Sequence, residues 1–178
     1  MTGHPEFPHL DEHGRAWMID ITGKKPTVRR AVARGTVRTS ADVFEALAAP
    51  PGDLDPVQAA RVAGMQAAKQ TSALLPLCHP IRLTDVQVDV VPHQGRVDIS
   101  AMTEVVERTG VEMEALTACT VAGLTIVCVL SRSDPEAYLD EVTLWLKEGG
   151  RSGRWERSAT PNRPVVSDQS SVRGSTGE

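Results

Sequence analysis

The chain has 178 residues and a formal net charge of −4. That length suits one domain with a proper core, and that charge argues against general nucleic-acid or membrane-surface binding. Aromatic residues are only 3% of the total, so the core has to be aliphatic.

Residues 1–15 are polar, carry Pro5, Pro8 and Gly14, and read as an N-terminal arm, extended or disordered. They lack the charged and apolar regions of a signal peptide, which predicts a cytoplasmic protein. Residues 16–156 read as a single domain. Residues 157–178, rich in Ser, Arg, Pro, Gly and Asp, read as a disordered tail. Ala16–Ile21 alternates like a short strand and ends at Thr22-Gly23-Lys24-Lys25-Pro26. Thr27–Thr39 is strand-like through Val28, Val32, Thr36 and Val37. Arg29, Arg30, Arg34 and Arg38 make that strand basic, as a solvated sheet edge or as a ligand or subunit contact. Ser40 is expected to cap a helix over Ala41–Ala49, with Phe44 and Leu47 inward. Pro50-Pro51-Gly52 ends it. Asp55 as N-cap and Pro56 at the first helical position then open a helix that runs to about Leu74 and contains Arg61 and Lys69.

Ala60, Gly64, Ala67 and Ala68 put small residues at helical spacing, which lets another backbone come close. Pro76 and Pro80 then stop the helix and fix an elbow around Leu77, Cys78 and His79. A histidine so restrained suits proton transfer or ligand gripping; a buried histidine bonded to a backbone carbonyl is the other reading. Arg82–Val91 and Arg96–Arg108 alternate and form a hairpin about His93-Gln94-Gly95. Glu112–Arg132 is a long, mostly apolar helix with Leu116, Cys119, Gly123, Ile126 and Leu130 in one line. Its threonines Thr117, Thr120 and Thr125 can bond back to the helix backbone. Burial on most sides would make it a central helix or a subunit interface. No apolar run is expected to span a membrane. Leu139–Leu146 is a strand, and Lys147 to Gly153 a glycine-rich loop.

Cys78, Cys119 and Cys128 show no metal-ligand spacing and no even disulfide set, so free thiols, no metal and no cofactor are expected. Glu112 and Glu114 open the long helix, where the helix dipole stabilises carboxylates. Two positions apart, they face different ways. Gly149-Gly150-Arg151-Ser152-Gly153 could cradle a phosphate with its backbone N–H groups, with Arg151 adding a fork of donors; a flexible exit to the tail is the alternative.

Met18-Ile19-Asp20-Ile21, the run Arg61 to Lys69, Leu75-Pro76-Leu77-Cys78-His79-Pro80 and the run Gly110 to Thr117 resemble the signatures of the MoaC family, the cyclic pyranopterin monophosphate synthases of molybdenum cofactor biosynthesis. The glycine-rich loop resembles that family's last motif, and the likeness covers about residues 9–156. It implies an α+β, ferredoxin-like fold with an antiparallel sheet packed by helices, assembled as a hexamer of dimers with sites between subunits. It also implies a GTP-derived nucleotide or pterin phosphate as the small-molecule partner. The reaction it implies converts a cyclised dihydro-GTP into a pyranopterin carrying a cyclic phosphate, with loss of pyrophosphate. Lys69, Cys78, His79, Glu112, Met113, Glu114 and Arg151 are then the expected substrate-binding residues, with His79 the candidate catalytic group.

The chain departs from that pattern at three points. No Lys or Arg lies between Arg38 and Arg61, so the family's catalytic lysine has no counterpart in Pro51-Gly52-Asp53. Cys128 and Ser131 stand where the family usually carries a catalytic aspartate and lysine, and no acid lies between Glu114 and Asp134. An apolar helix predicts an inert Cys128 thiol. Arg132 is a step further round, and a guanidinium makes a poor proton-transfer base. The expectation is a divergent family member that binds the nucleotide or pterin with altered chemistry. A non-catalytic partner subunit and a working synthase with substitute residues are the alternatives.

Overall fold

A computed structural model describes residues 9–10, 13–48 and 55–158. Five strands form one sheet in the order β2-β3-β1-β4-β5. They are β1 (Thr27–Arg38), β2 (Asp85–His93), β3 (Arg96–Glu107), β4 (Tyr138–Glu148) and the two-residue β5 (Trp155–Glu156). Every pairing is antiparallel. The helices are α1 (Val43–Ala46), α2 (Pro56–Lys69), α3 (Thr71–Leu74) and α4 (Glu112–Leu130). The units β1-α2-β2 and β3-α4-β4 interleave so that β3 and β1 take the centre of the sheet, which is the ferredoxin-like arrangement.

Alternation decides the layers. Ala31, Ala33, Gly35 and Val37 of β1, with Val97, Ile99, Ala101, Thr103 and Val105 of β3, are buried on the helix side. The central β1 residues on that side are small, so α4 can lie close: a Cβ on Gly35 would come 3.1 Å from Cys119 Sγ. The seam between α2 and α4 is built the same way, with a Cβ on Gly64 meeting the Ala118 carbonyl oxygen at 2.9 Å. Ala60, Gly64, Ala67 and Ala68 are the buried positions of α2, as their spacing predicts. Asp55 caps α2 through Val57 N–H, with Pro56 in its first turn.

Several local expectations are corrected. Ala16–Ile21 is not a strand: only Ala16 pairs, with Leu10, and Trp17 and Met18 are exposed, so the segment has no buried face to fix it. Asp42, not Ser40, caps α1, accepting from Phe44 and Glu45 N–H. That shift turns Val43 and Leu47 inward and leaves Phe44 exposed. The helix over 56–74 breaks at Gln70, and α3 is a separate turn. Trp155, near the end of the expected domain, pairs with Lys147 in β5, a strand the sequence did not predict. The rest of the tail from residue 159, most of the arm, and Pro51-Gly52-Asp53 lie outside the described residues.

α4 is also long and apolar enough, by length and composition, to cross a membrane, contrary to expectation. Eight of its residues are nevertheless buried in the protein, from Glu114 to Leu130. Its apolar character is spent on one side against the sheet and α2. Thr120 and Thr125 donate to the carbonyls of Leu116 and Val121, as expected for hydroxyls buried in a helix. The outer side keeps Met113 and Leu124 exposed, so one chain covers this helix only in part.

Candidate functional site

α4 is fixed at its start by β3. The buried Thr103 hydroxyl donates to the Val111 carbonyl, which anchors the residue before the helix. Val111 supplies no side-chain cap, and the first turn carries the carboxylates Glu112 and Glu114 instead. Glu112 is half-buried, and its carboxylate folds back over Gly110, into the space a side chain there would need. Glu114 is only 4% exposed. Burial pushes its pKa up to about 7; its own backbone N–H lowers it in part, and the Glu112 charge adds a smaller push upward. The two carboxylates do face different ways, but they remain electrostatically coupled.

The proline elbow packs at this end of α4. It turns after α3 with Cys78 N–H donating to the Leu75 carbonyl. Burial raises the Cys78 pKa, and the neighbouring Glu114 charge raises it further. His79 is half-buried rather than sealed in the core, and its charge reaches Asp20. The Asp20 carboxylate is held below its ordinary range first by the Thr22 backbone N–H, at 2.8 Å, with Lys24 and His79 adding to the effect. The fold therefore brings Asp20, Cys78, His79, Glu112 and Glu114 to one end of the molecule. Met113 is exposed beside them on α4.

Lys69 is exposed in the last turn of α2, just before α3 and the elbow. Arg151 is exposed in the turn after β4, where Gly153 N–H donates to the Gly150 carbonyl. That turn is held against β1. Gly149 and Gly150 have φ of +97° and +71°, and side chains there would strike the Val28 carbonyl and the Arg29 guanidinium. Arg29 also donates to the Arg108 carbonyl at the end of β3. The turn thus lies at the sheet end from which α4 starts, although within one chain no bond joins Arg151 to His79.

Cys128 and Ser131 are at the far end of α4, about 21 Å or more from Glu114 along the axis at the usual helical rise. Cys128 is exposed, not enclosed in apolar surroundings as its helix predicted. Ser131 is exposed and donates to the Cys128 carbonyl. A chain acting alone cannot bring these two residues to His79 and Glu114.

A model of the MoaC family matches residues 18–150. The chain is 48% identical over 155 residues to cyclic pyranopterin monophosphate synthase 2 of Mycobacterium tuberculosis, covering 85% of this chain and 92% of that one. The chain belongs to the MoaC family. Other MoaC relatives are cyclic pyranopterin monophosphate synthases of Thermomicrobium roseum, 46% identical over 157 residues, 85% of this chain and 93% of the relative, and of Streptomyces coelicolor, 43% identical over 153 residues, 84% and 89%.

Two MoaC site neighbours escaped the sequence reading. Asp20 lies within a motif quoted only for its resemblance, and nothing local to it points at a histidine distant in the chain. Arg29 was one of four arginines in a basic strand, and only the positive φ of the two glycines against it separates it from the others.

Proposed function

We propose that this MoaC-family chain binds a GTP-derived nucleotide or pterin phosphate at the N-terminal end of α4, and that it forms cyclic pyranopterin monophosphate slowly at most. The observation that carries the reading is Glu114, a buried carboxyl with a pKa raised to about 7 beside Cys78, in the elbow that also carries His79. Such a group can hold a proton or release one at working pH, and can accept from a guanine or pterin N–H edge. In this reading His79, Glu112 and Met113 contact the ligand, and the exposed Lys69 and Arg151 supply the cations a phosphate needs. At the far end of α4 the family's catalytic positions hold the Cys128 thiol and the Ser131 hydroxyl, and the nearby Asp134 carboxylate is engaged by Thr39 and Ser40. A second copy, bringing its own α4 terminus across, would add neither an acid nor a lysine at those two positions. The exposed outer side of α4 supports such an assembly, with a hexamer of dimers as the form implied by family resemblance.

A second reading, a working synthase with substitute residues, is favoured by the 43–48% identity to proteins of that name over most of the chain. Calorimetric titration with GTP tests the binding part common to both. Wild type should give a saturable heat, with Glu114→Gln and His79→Ala each weakening binding about tenfold or more. Equal affinity in all three proteins would remove the site from this end of α4.

A further inference from the structure

Gly110, two residues before α4, is a glycine whose backbone conformation does not require one. Unlike the turn glycines Gly149 and Gly150, it does not have a positive φ, so an alanine there meets no strain of the left-handed kind. What excludes a side chain is Glu112. The three atoms nearest to a Cβ on Gly110 all belong to that carboxyl group, Cδ at 2.6 Å, Oε1 at 2.8 Å and Oε2 nearer still. Gly64 and Gly149 differ, since a Cβ on either would strike a backbone carbonyl. The chain between Gly110 and Glu112 is pinned. The Val111 carbonyl accepts from the Thr103 hydroxyl at 2.9 Å and from the Ala115 N–H at 3.2 Å. A side chain at position 110 is therefore accommodated by moving the Glu112 carboxylate, not the backbone.

Helical side chains lean toward the N-terminus of their own helix. Glu112 is the first residue of α4, so its side chain leans out past the helix end and over Gly110, where the helix dipole favours a carboxylate. Glu112 is half-buried, yet among the described residues nothing hydrogen-bonds its carboxylate. Its acceptor oxygens stay open at the end of α4 that also holds Cys78 and Glu114. An ionised carboxylate only accepts, and it repels a phosphate. What it takes from a nucleotide or pterin is a donor, a ring N–H or a ribose O–H. We propose that Gly110 is a positioning residue of this site: the missing side chain keeps the Glu112 carboxylate folded back, with its oxygens open to a donor group of the ligand. The inference rests on the assignment of a nucleotide or pterin site to this end of α4.

The obstacle to a side chain at 110 is the tip of a flexible one, so Gly110→Ala should fold, with Tm changed by no more than about 3 °C. Calorimetric titration of GTP into wild type, Gly110→Ala, Glu112→Ala and the double variant closes a cycle. Gly110→Ala should weaken GTP binding about tenfold and should change nothing further in the Glu112→Ala background. An equal loss in both backgrounds is the mark of a merely structural glycine and would overturn the proposal. A larger fall in Tm would overturn it too, because the backbone would then be what yields. Wild type that binds no GTP removes the whole site. Wild type that binds GTP, with the same affinity in Gly110→Ala, keeps the site and removes only the role given to Gly110.

Discussion

The two ends of α4 each border a buried carboxyl, and the protein treats them in opposite ways. At the N-terminal end, Glu114 is buried with little to compensate it and is pushed up to about 7. Just past the C-terminal end, Asp134 is buried amid donors: the Thr39 hydroxyl at 2.7 Å, the Ser40 N–H at 2.6 Å and the Glu136 N–H at 3.1 Å. Those bonds, the Thr39 hydroxyl first, pull it down to about 2. Asp134 ties the start of the α1 segment to the exit from α4 and stays ionised, as a structural carboxylate should. Glu114 sits where ionisation is held in balance. Hydrogen bonds offset the desolvation of the Asp134 carboxylate, whereas Glu114 keeps a desolvation cost of the kind that functional sites concentrate.

The largest way to sharpen this contrast is to give the C-terminal end the groups it lacks. Cys128→Asp with Ser131→Lys, and a lysine restored near Gly52, should raise formation of cyclic pyranopterin monophosphate from the cyclised GTP intermediate by about a hundredfold or more. No gain from the triple variant, with its fold intact by circular dichroism, would show that those positions do not limit the chemistry.

Next comes the titration of Glu114. Its folded pKa lies above its unfolded value, so the folded state holds the extra proton, and stability falls as pH rises from about 4.5 through about 7. Glu114→Gln should therefore be more stable than wild type at pH 8, by about 2–3 kcal/mol, with the gap closing near pH 4.5. Denaturant melts at the two pH values measure it. A destabilised Gln variant at pH 8 would mean that the carboxylate has partners in the assembled protein.

Asp134 should behave with the opposite sign. Its folded pKa is depressed, so its contribution is present above about 3.8 and disappears as pH falls through about 2. Asp134→Asn should lower Tm at pH 7 and match wild type in strong acid. Equal Tm at pH 7 would deny Asp134 its structural role. The smallest effect separates the thiols: an aromatic disulfide reagent should label exposed Cys128 first, Cys78 later, and Cys119, pushed up to about 12 by burial, only on unfolding. Simultaneous labelling of all three in the native protein would contradict the packing of α4.

The sheet and both long helices were legible because their patterns are periodic and their ends are marked: Asp55-Pro56 opens α2, and Gly95 turns the β2–β3 hairpin with φ of +74°. The errors fall where a local signal competed with a distant partner. Ser40 looked like a helix cap because its neighbour across the fold, Asp134, lies 94 residues away. Ala16–Ile21 alternated like a strand but had no neighbouring strand to pair with. At the site, the prolines around His79 and the paired glutamates were visible, whereas the burial that sets Glu114 apart from Glu112 depends on how the elbow packs. Cys128 shows the reverse: an apolar helix suggested a hidden thiol, and the open outer side of α4 exposes it.

The central claim is that the end of α4 carrying Glu114 still binds the family's ligand while the other end no longer supports the family's reaction. Incubating the purified protein with the cyclised GTP intermediate, alongside the Mycobacterium tuberculosis relative, tests it directly by quantifying pyranopterin product under saturating conditions. The account predicts saturable binding with product formed about a hundredfold or more slowly than by the relative. Turnover equal to the relative's would contradict it and make this chain a working synthase.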